Sequence, residues 1–284
     1  MSPGFLSAER QPRVVSEGAL LAAVGRYQPE CLLARTAFSQ VFVARHLETG
    51  QRVALKLLPP FEAEPESVRK FFFREIRALQ MLVHPNVVVI HDSGETTAGA
   101  YIVTELLRGH NLGDWLAQSA ATPYSGRLAV ARQVALGLEA VHAAGLVHGD
   151  IKPGNVFVET SGNVKLLDFA TARRHESLIG SLGPVAGTPA YAAPEAVRGG
   201  GLGPRADMFA FGVLCFELIA GANPFRRASL DETLRAVVTA TLPVAAIREA
   251  GASRAVVAIL EACLGKEASL RPASFSEIVR ALDE

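Results

Sequence analysis

Residues 148–155 read His-Gly-Asp-Ile-Lys-Pro-Gly-Asn, and a further acid, Asp168, follows downstream. Asp150 can orient a hydroxyl group, while Asn155 and Asp168 carry oxygen atoms of the kind that bind a small divalent cation. A phosphoryl group leaving ATP is densely negative, and its transfer requires such a cation and an oriented acceptor hydroxyl. The pattern therefore predicts a phosphoryl-transfer site.

Two further motifs lie in register with this one. Lys56 ends an apolar run that reads as a strand, and residues 187–195 read Gly-Thr-Pro-Ala-Tyr-Ala-Ala-Pro-Glu. Taken alone, Lys56 would more often be a surface lysine and Asp150 a loop carboxylate or helix cap. Together, these motifs resemble those of the eukaryotic-like (Hanks-type) bacterial serine/threonine protein kinases. The resemblance extends from about Tyr27 to the end of the chain.

The resemblance implies a role for each residue of the catalytic motifs. Asp150 would orient or deprotonate the acceptor hydroxyl, and Lys152 would steady the transferring phosphoryl group. Asn155 and Asp168 would hold Mg²⁺, with Mn²⁺ as an alternative. Lysine at position 152 is typical of serine/threonine kinases rather than tyrosine kinases.

The same resemblance implies where ATP binds. Lys56 would contact the α- and β-phosphates and pair with Glu75 on a neighbouring helix. An unpaired lysine on a half-buried strand is costly, which agrees with such a partner. Further residues expected around the nucleotide are Ala34, Val41, Ala54, Thr104, Glu105, Leu107 and Phe157.

The predicted fold is α+β and two-lobed. A hydrophobic fraction of 49% over 284 residues is ample for a buried core. We expect residues 1–26 to form a short flexible leader and residues 27–284 to form the kinase domain. Its N-lobe, about 27–107, is a small sheet with one main helix, and its C-lobe, about 108–284, is mostly α-helical. Predicted helices are Ser67–Leu82, Leu112–Ser119, Ser125–Ala144, Pro204–Ala220, Leu230–Ala240, Arg254–Leu264 and Ser274–Leu282.

Other residues have structural roles in the family that the chain resembles. Glu195 is expected to pair with Arg271, although such pairs are often exposed and weak. Asp207 is expected to anchor the backbone of the catalytic loop. A stack of apolar packing is expected from Leu79, Ile90, His148 and Phe169.

The amino-acid composition narrows the classes of partner and the cellular location expected for this chain. Formal charges cancel at pH 7, so no basic field indicates a nucleic acid or membrane partner. No apolar run reaches the roughly 18 to 20 residues of a membrane span. Three scattered cysteines favour reduced core residues and a cytoplasmic location. Lysine is rare among the cations, occurring only at positions 56, 70, 152, 165 and 266.

The chain departs from the family pattern at three places. The phosphate-covering loop, which normally reads Gly-x-Gly-x-x-Gly, is the glycine-free run 34–41. Side chains there are expected to hold the loop farther from phosphate or to stiffen it, although the hydroxyls of Thr36 and Ser39 could donate to phosphate. Ala170 replaces a glycine beside Phe169, which restricts the backbone flip that moves this ring.

These observations predict a protein kinase that transfers the γ-phosphoryl group of ATP to serine or threonine hydroxyls. The altered loop keeps open an alternative, a pseudokinase that serves as a scaffold or binding module. A kinase-fold enzyme acting on a small molecule is disfavoured by the segment 187–195. Protein substrates are the expected partners, together with a regulatory protein.

Gly149 is the third departure, since it replaces an arginine that pairs in many kinases with a phosphate on the activation segment. We predict that activity does not depend on a phosphate at Thr171, Ser177, Ser181 or Thr188 acting through this position. Treatment with a phosphatase before the assay tests this prediction. A large loss of activity after dephosphorylation would contradict it.

Overall fold

The computed structural model describes residues 22–35, 39–58, 73, 76–97, 99–119, 121–168, 173–174 and 189–284. Several predicted features lie outside these residues. They are most of the leader, Thr36, most of the first predicted helix with Glu75, Phe169, Ala170, and the activation-segment residues Thr171, Ser177, Ser181 and Thr188.

The N-terminal part is a five-stranded antiparallel sheet with the order β1-β2-β3-β5-β4. The glycine of the turn at Glu48-Thr49-Gly50 has φ 72, which allows the tight connection between β2 and β3. Val24 is buried and exchanges backbone hydrogen bonds with Tyr27, so the last residues of the predicted leader pack on the sheet. The strands are β1 (Tyr27–Arg35), β2 (Gln40–His46), β3 (Arg52–Leu57), β4 (Ile90–Thr96) and β5 (Gly99–Glu105).

A helix accompanies this sheet in the described part of the chain, as predicted. Residues 76–80 are helical, and Ile76 and Leu79 are both buried. A loop at 82–89 then leads into β4. These residues carry the C-terminal end of the helix predicted for Ser67–Leu82.

Helices dominate the C-terminal part. The central one, α4, is apolar nearly all round and buried, as expected for a helix that other elements surround. It begins with Pro204 after Gly203 and ends at Ala220, and the capping residue Gly221 has φ 79. The helices are α1 (Leu112–Gln118), α2 (Tyr124–Ala143), α3 (Pro194–Val197), α4 (Pro204–Ala220), α5 (Leu230–Thr239), α6 (Val244–Glu249), α7 (Arg254–Cys263) and α8 (Phe275–Asp283).

The six helices predicted for this part all appear, with ends that differ by one residue at most. Helices α3 and α6 were not predicted, because four or six residues are too few to show a helical period. None of the helices among the described residues is long and apolar enough to cross a membrane.

Short strands brace the loops between the two parts. The β-like runs 156–159 and 164–167, which flank a turn at Ser161-Gly162-Asn163, predict a hairpin. It is present as β8 (Val156–Glu159) and β9 (Val164–Leu166), and β6 (Gly109–Asn111) pairs with β8. Gly109 has φ 147, and a Cβ there would lie 2.2 Å from the carbonyl oxygen of Val158. Only glycine permits this close pairing. Strand β7 (Leu146–Val147) pairs with β10 (Arg173–Arg174).

The buried apolar residues that the structure describes form two clusters. The smaller one lies within the sheet and includes Val24, Phe42, Leu55 and Val103. The larger one is continuous from Ala34 in β1 through α4 to the last helix. The α+β, two-lobed prediction is therefore confirmed.

The predicted pair of Glu195 and Arg271 is confirmed. Nη1 and Nη2 of Arg271 donate to the two carboxylate oxygens of Glu195, each at 2.7 Å. The arginine side chain is 0% exposed and also donates to the carbonyl oxygens of Arg205 and Gly265. Its guanidinium lies 5.0 Å from the ring centroid of Phe209. The pair is thus a buried junction rather than a surface contact.

We predict that Arg271→Met lowers the free energy of unfolding by about 3–5 kcal/mol, because Glu195 keeps a partly buried charge without its partner. Urea unfolding measures this loss. Arg280→Met, at an exposed arginine of α8, is the control and should change stability by less than about 0.5 kcal/mol. Wild-type stability in Arg271→Met would refute a structural role for the pair.

Candidate active site

The structure brings together the three residues predicted for the catalytic loop. Oδ2 of Asp150 accepts from Nζ of Lys152 at 2.6 Å and from Nδ2 of Asn155 at 2.8 Å. The same Nδ2 donates to the backbone oxygen of Asp150 at 2.7 Å. Asn155 closes a short 3₁₀ turn, Pro153–Asn155, whose fixed φ at proline helps to hold the loop. Oδ1 of Asp150 accepts no hydrogen bond from the described part of the chain and can face an acceptor hydroxyl.

The buried carboxylate of Asp207 anchors the backbone of this loop. Asp207 accepts from the backbone N–H groups of His148 and Gly149 and from Nε2 of His142, each at 2.8 Å. Burial would raise the pKa of Asp207, but the hydrogen bond from His142, the nearby His148 and the amide of Gly149 together lower it below its ordinary value. The predicted anchoring role of Asp207 is confirmed.

His148 links the catalytic loop to the segment that carries Asp168. Its Nδ1 accepts from the N–H of Asp150 at 3.3 Å, so the network assigns the ring proton to Nε2. Nε2 then donates to the carbonyl oxygen of Leu167 at 2.9 Å. His148 is buried, as are Leu79 and Ile90 of the predicted stack.

Gly149 has φ 78, in the left-handed region that favours glycine. Its N–H donates to Asp207, so the turn is fixed in this conformation. The replacement of arginine at this position therefore removes a cation while easing the backbone geometry of the loop.

Asp168 has φ 58 and is the only non-glycine residue with positive φ in the described chain. Such a conformation in a residue with a side chain is typical of functional sites. Its Oδ1 contacts Nζ of Lys56, which closes an ion pair between β3 and the segment after β9. The two predicted residues from distant parts of the chain therefore meet.

The oxygens of Asn155 and Asp168 fit a hard cation. Because Nδ2 of Asn155 donates to Asp150, its Oδ1 is the atom left to bind a metal ion. The N–H of Leu167 donates to the carbonyl oxygen of Asn155 at 2.8 Å, which places the two predicted ligand residues on adjoining segments. Among the described residues, no group of three or more His, Cys, Asp or Glu could hold a metal ion. Two protein oxygens suit Mg²⁺, which takes its other ligands from phosphates and water.

A cleft opens between the sheet and the helical part. Five residues predicted for the site line it: Val41, Ala54, Lys56, Thr104 and Asp168. The other lining residues are apolar and were not predicted for the nucleotide: Ile76, Val88, Ile90, Ile102 and Leu167. Alternation along β5 could have indicated Ile102, which lies two positions before Thr104.

Four other residues predicted for the nucleotide site do not line this cleft. Ala34 pairs with Val41 in the sheet, and Phe157 is buried in β8. Leu107 is also buried. The carboxylate of Glu105 accepts from Nζ of Lys165 at 2.8 Å and therefore faces away from the cleft. Glu75 and Thr36 lie outside the described residues, whereas Ser39 is described and buried.

A model of the protein kinase domain family matches residues 27–281. The chain belongs to the protein kinase family. Serine/threonine-protein kinase PknA of Mycobacterium tuberculosis (strain ATCC 25618 / H37Rv) is 36% identical over 208 residues, which are 71% of this chain and 48% of that protein. PknL of the same strain is 37% identical over 210 residues, 74% of this chain and 52% of that protein.

A plant relative matches the kinase domain at a similar level. Putative CBL-interacting protein kinase 27 of Oryza sativa subsp. japonica is 34% identical over 205 residues, 71% of this chain and 51% of that protein. The chain spans about half the length of the curated relatives it matches. The resemblance to bacterial serine/threonine kinases is confirmed.

We predict that Asp207→Asn weakens the pH dependence of stability of this kinase domain in acid. The pKa of Asp207 is lower in the folded state, so its contribution is complete above the ordinary carboxyl pKa of about 3.9 and is lost as pH falls below it. Urea unfolding at several pH values between about 3 and 7 measures this slope. Asp231→Asn, at an exposed aspartate, is the control and should keep the wild-type slope. Identical slopes in all three proteins would contradict the prediction.

Proposed function

We propose that this chain is a serine/threonine protein kinase that uses ATP and Mg²⁺ and acts on protein hydroxyls. One observation carries the proposal: Asp150, Lys152 and Asn155 form a single hydrogen-bonded unit, while Lys56 and Asp168 meet at the cleft. The names of PknA and PknL support the choice of serine and threonine as acceptors. A cytoplasmic location and Mn²⁺ as a substitute ion belong to the same proposal.

The residues divide the work by position. The apolar cleft walls take the adenine ring and exclude water, and Thr104 contributes a hydroxyl at the rear. When the nucleotide enters, the ammonium group of Lys56 binds phosphate oxygens while it keeps part of its interaction with Asp168, since an ammonium has three donors. Bound Mg²⁺ supplies neutralisation of the phosphate charge, and Asn155 and Asp168 would hold it.

At the other side of the phosphoryl group, Oδ1 of Asp150 accepts the hydrogen bond of the acceptor hydroxyl and aligns it for in-line attack. Lys152 is close enough to Asp150 to hold its carboxylate in place and to face the transferred group. The catalytic contribution is therefore positioning and charge stabilisation, which a network of fixed hydrogen bonds provides.

The scaffold alternative is supported by the missing glycines of the loop 34–41 alone. A pseudokinase has no need for the unit around Asp150 or for an aspartate in the left-handed region at position 168. The described part of the site therefore favours catalysis.

We predict that the purified chain transfers label from γ-labelled ATP with Mg²⁺ to a generic basic protein. Asp150→Ala should lower the rate by about 10²–10⁴-fold, and Lys56→Met should also nearly abolish transfer. Asp231→Asn is the matched control and should transfer label like the wild type.

Two results separate the candidate functions. Transfer in the wild type and in the control variant alone establishes the kinase. Absence of label, together with a melting temperature that ATP and Mg²⁺ do not change, would refute the kinase proposal and support the scaffold.

A further inference from the structure

Lys165 and Glu105 form an ion pair next to the nucleotide cleft that the catalytic roles above do not use. Nζ of Lys165 lies 2.8 Å from Oε1 of Glu105, and the lysine side chain is only 11% exposed. The same Oε1 accepts from the N–H of Val89 at 2.9 Å, and Nζ is 3.5 Å from the carbonyl oxygen of Val87. Lysine is rare in this chain, and a buried one requires a partner.

The pair encloses a short segment, residues 86–89. On one side, the N–H of Glu105 donates to the carbonyl oxygen of Val89 at 3.1 Å. On the other side, the N–H of Val88 donates to the carbonyl oxygen of Leu166, and the N–H of Leu166 donates to Asn86. The segment is thus held between the end of β5 and strand β9.

The two sides of this junction both reach the cleft. Thr104 precedes Glu105, and Val88 belongs to the enclosed segment; both line the cleft. Lys165 lies in β9, three positions before Asp168. Successive side chains of a strand point to opposite faces, so Glu105 faces Lys165 while Thr104 faces the nucleotide. Thr104 and Val88 form what we call the rear wall of the cleft. A shift of the ion pair would therefore move this rear wall relative to Asp168.

We propose that Lys165 is a positioning residue of the phosphotransfer site, which acts through Glu105 to hold the rear wall of the nucleotide cleft against the hairpin that carries Asp168. The proposal rests on the kinase function proposed above. It assigns the pair to the binding of ATP rather than of the protein acceptor, because the catalytic loop around Asp150 has its own support in Asp207.

The test compares Lys165→Met, Glu105→Gln, the double variant and the exchanged pair Glu105→Lys with Lys165→Glu. We expect Lys165→Met to raise KM for ATP about tenfold, with KM for the protein acceptor unchanged within about twofold. The double variant should be no worse than the worse single variant, because both remove one interaction. The exchanged pair should recover part of the affinity for ATP.

Lys266→Met is the matched control, since Lys266 is a half-buried lysine whose Nζ donates to the carbonyl oxygen of Val237 at 2.7 Å, away from the cleft. It should lower the melting temperature and leave KM for ATP unchanged. An equal rise of KM for ATP in Lys266→Met, or additive effects in the double variant, would overturn the positioning role.

Calorimetric measurement of ATP binding in the presence of Mg²⁺ separates the role of Lys165 from the kinase function on which it rests. A wild-type chain that binds ATP and transfers label, beside a Lys165→Met variant with unchanged KM for ATP, overturns only the role of Lys165. A wild-type chain that neither binds ATP nor transfers label overturns both proposals.

Discussion

The position of the catalytic loop depends on its hydrogen bonds to the buried carboxylate of Asp207. This carboxylate is removed from water, so it must be satisfied within the protein, and three donors from two segments converge on it. Two of these donors are backbone N–H groups of the loop that carries Asp150, so the position of the Asp150 carboxylate follows from the position of helix α4. Most residues of this helix are themselves apolar and buried in the larger cluster. Rigidity at the site is thus derived from the core.

In three other places, a buried or partly buried charge is likewise compensated by a partner of opposite charge. Each pair joins residues at least 60 positions apart, so each forms only when the tertiary structure is complete. A buried charge is tolerated only with its partner, which penalises arrangements in which the segments are shifted. The pairs therefore specify the relative placement of loops whose backbone has little regular structure. They are Lys56 with Asp168, Glu105 with Lys165, and Glu195 with Arg271.

Much of this arrangement was accessible from the sequence. The long helices and the β8–β9 hairpin follow from apolar periodicity, and the motif spacing predicted that Asp150, Lys152 and Asn155 act together. Helices α3 and α6 are too short to show a period. The direction of the Glu105 side chain depends on a lysine 60 positions away, which local patterns do not reveal. The apolar residues that line the cleft, such as Val88, cannot be told apart in the sequence from residues of the core.

The larger apolar cluster has a consequence for any separation of the two lobes. It includes Val41, Ile76 and Ile102 from the cleft walls and runs without a break to Leu282 in the last helix. The cleft is accordingly an opening in one shared interior, not a gap between two self-contained bodies. Only the smaller cluster belongs to the sheet alone. Neither lobe retains its full interior when separated from the other, so a separation of the lobes would expose apolar residues on both sides to water.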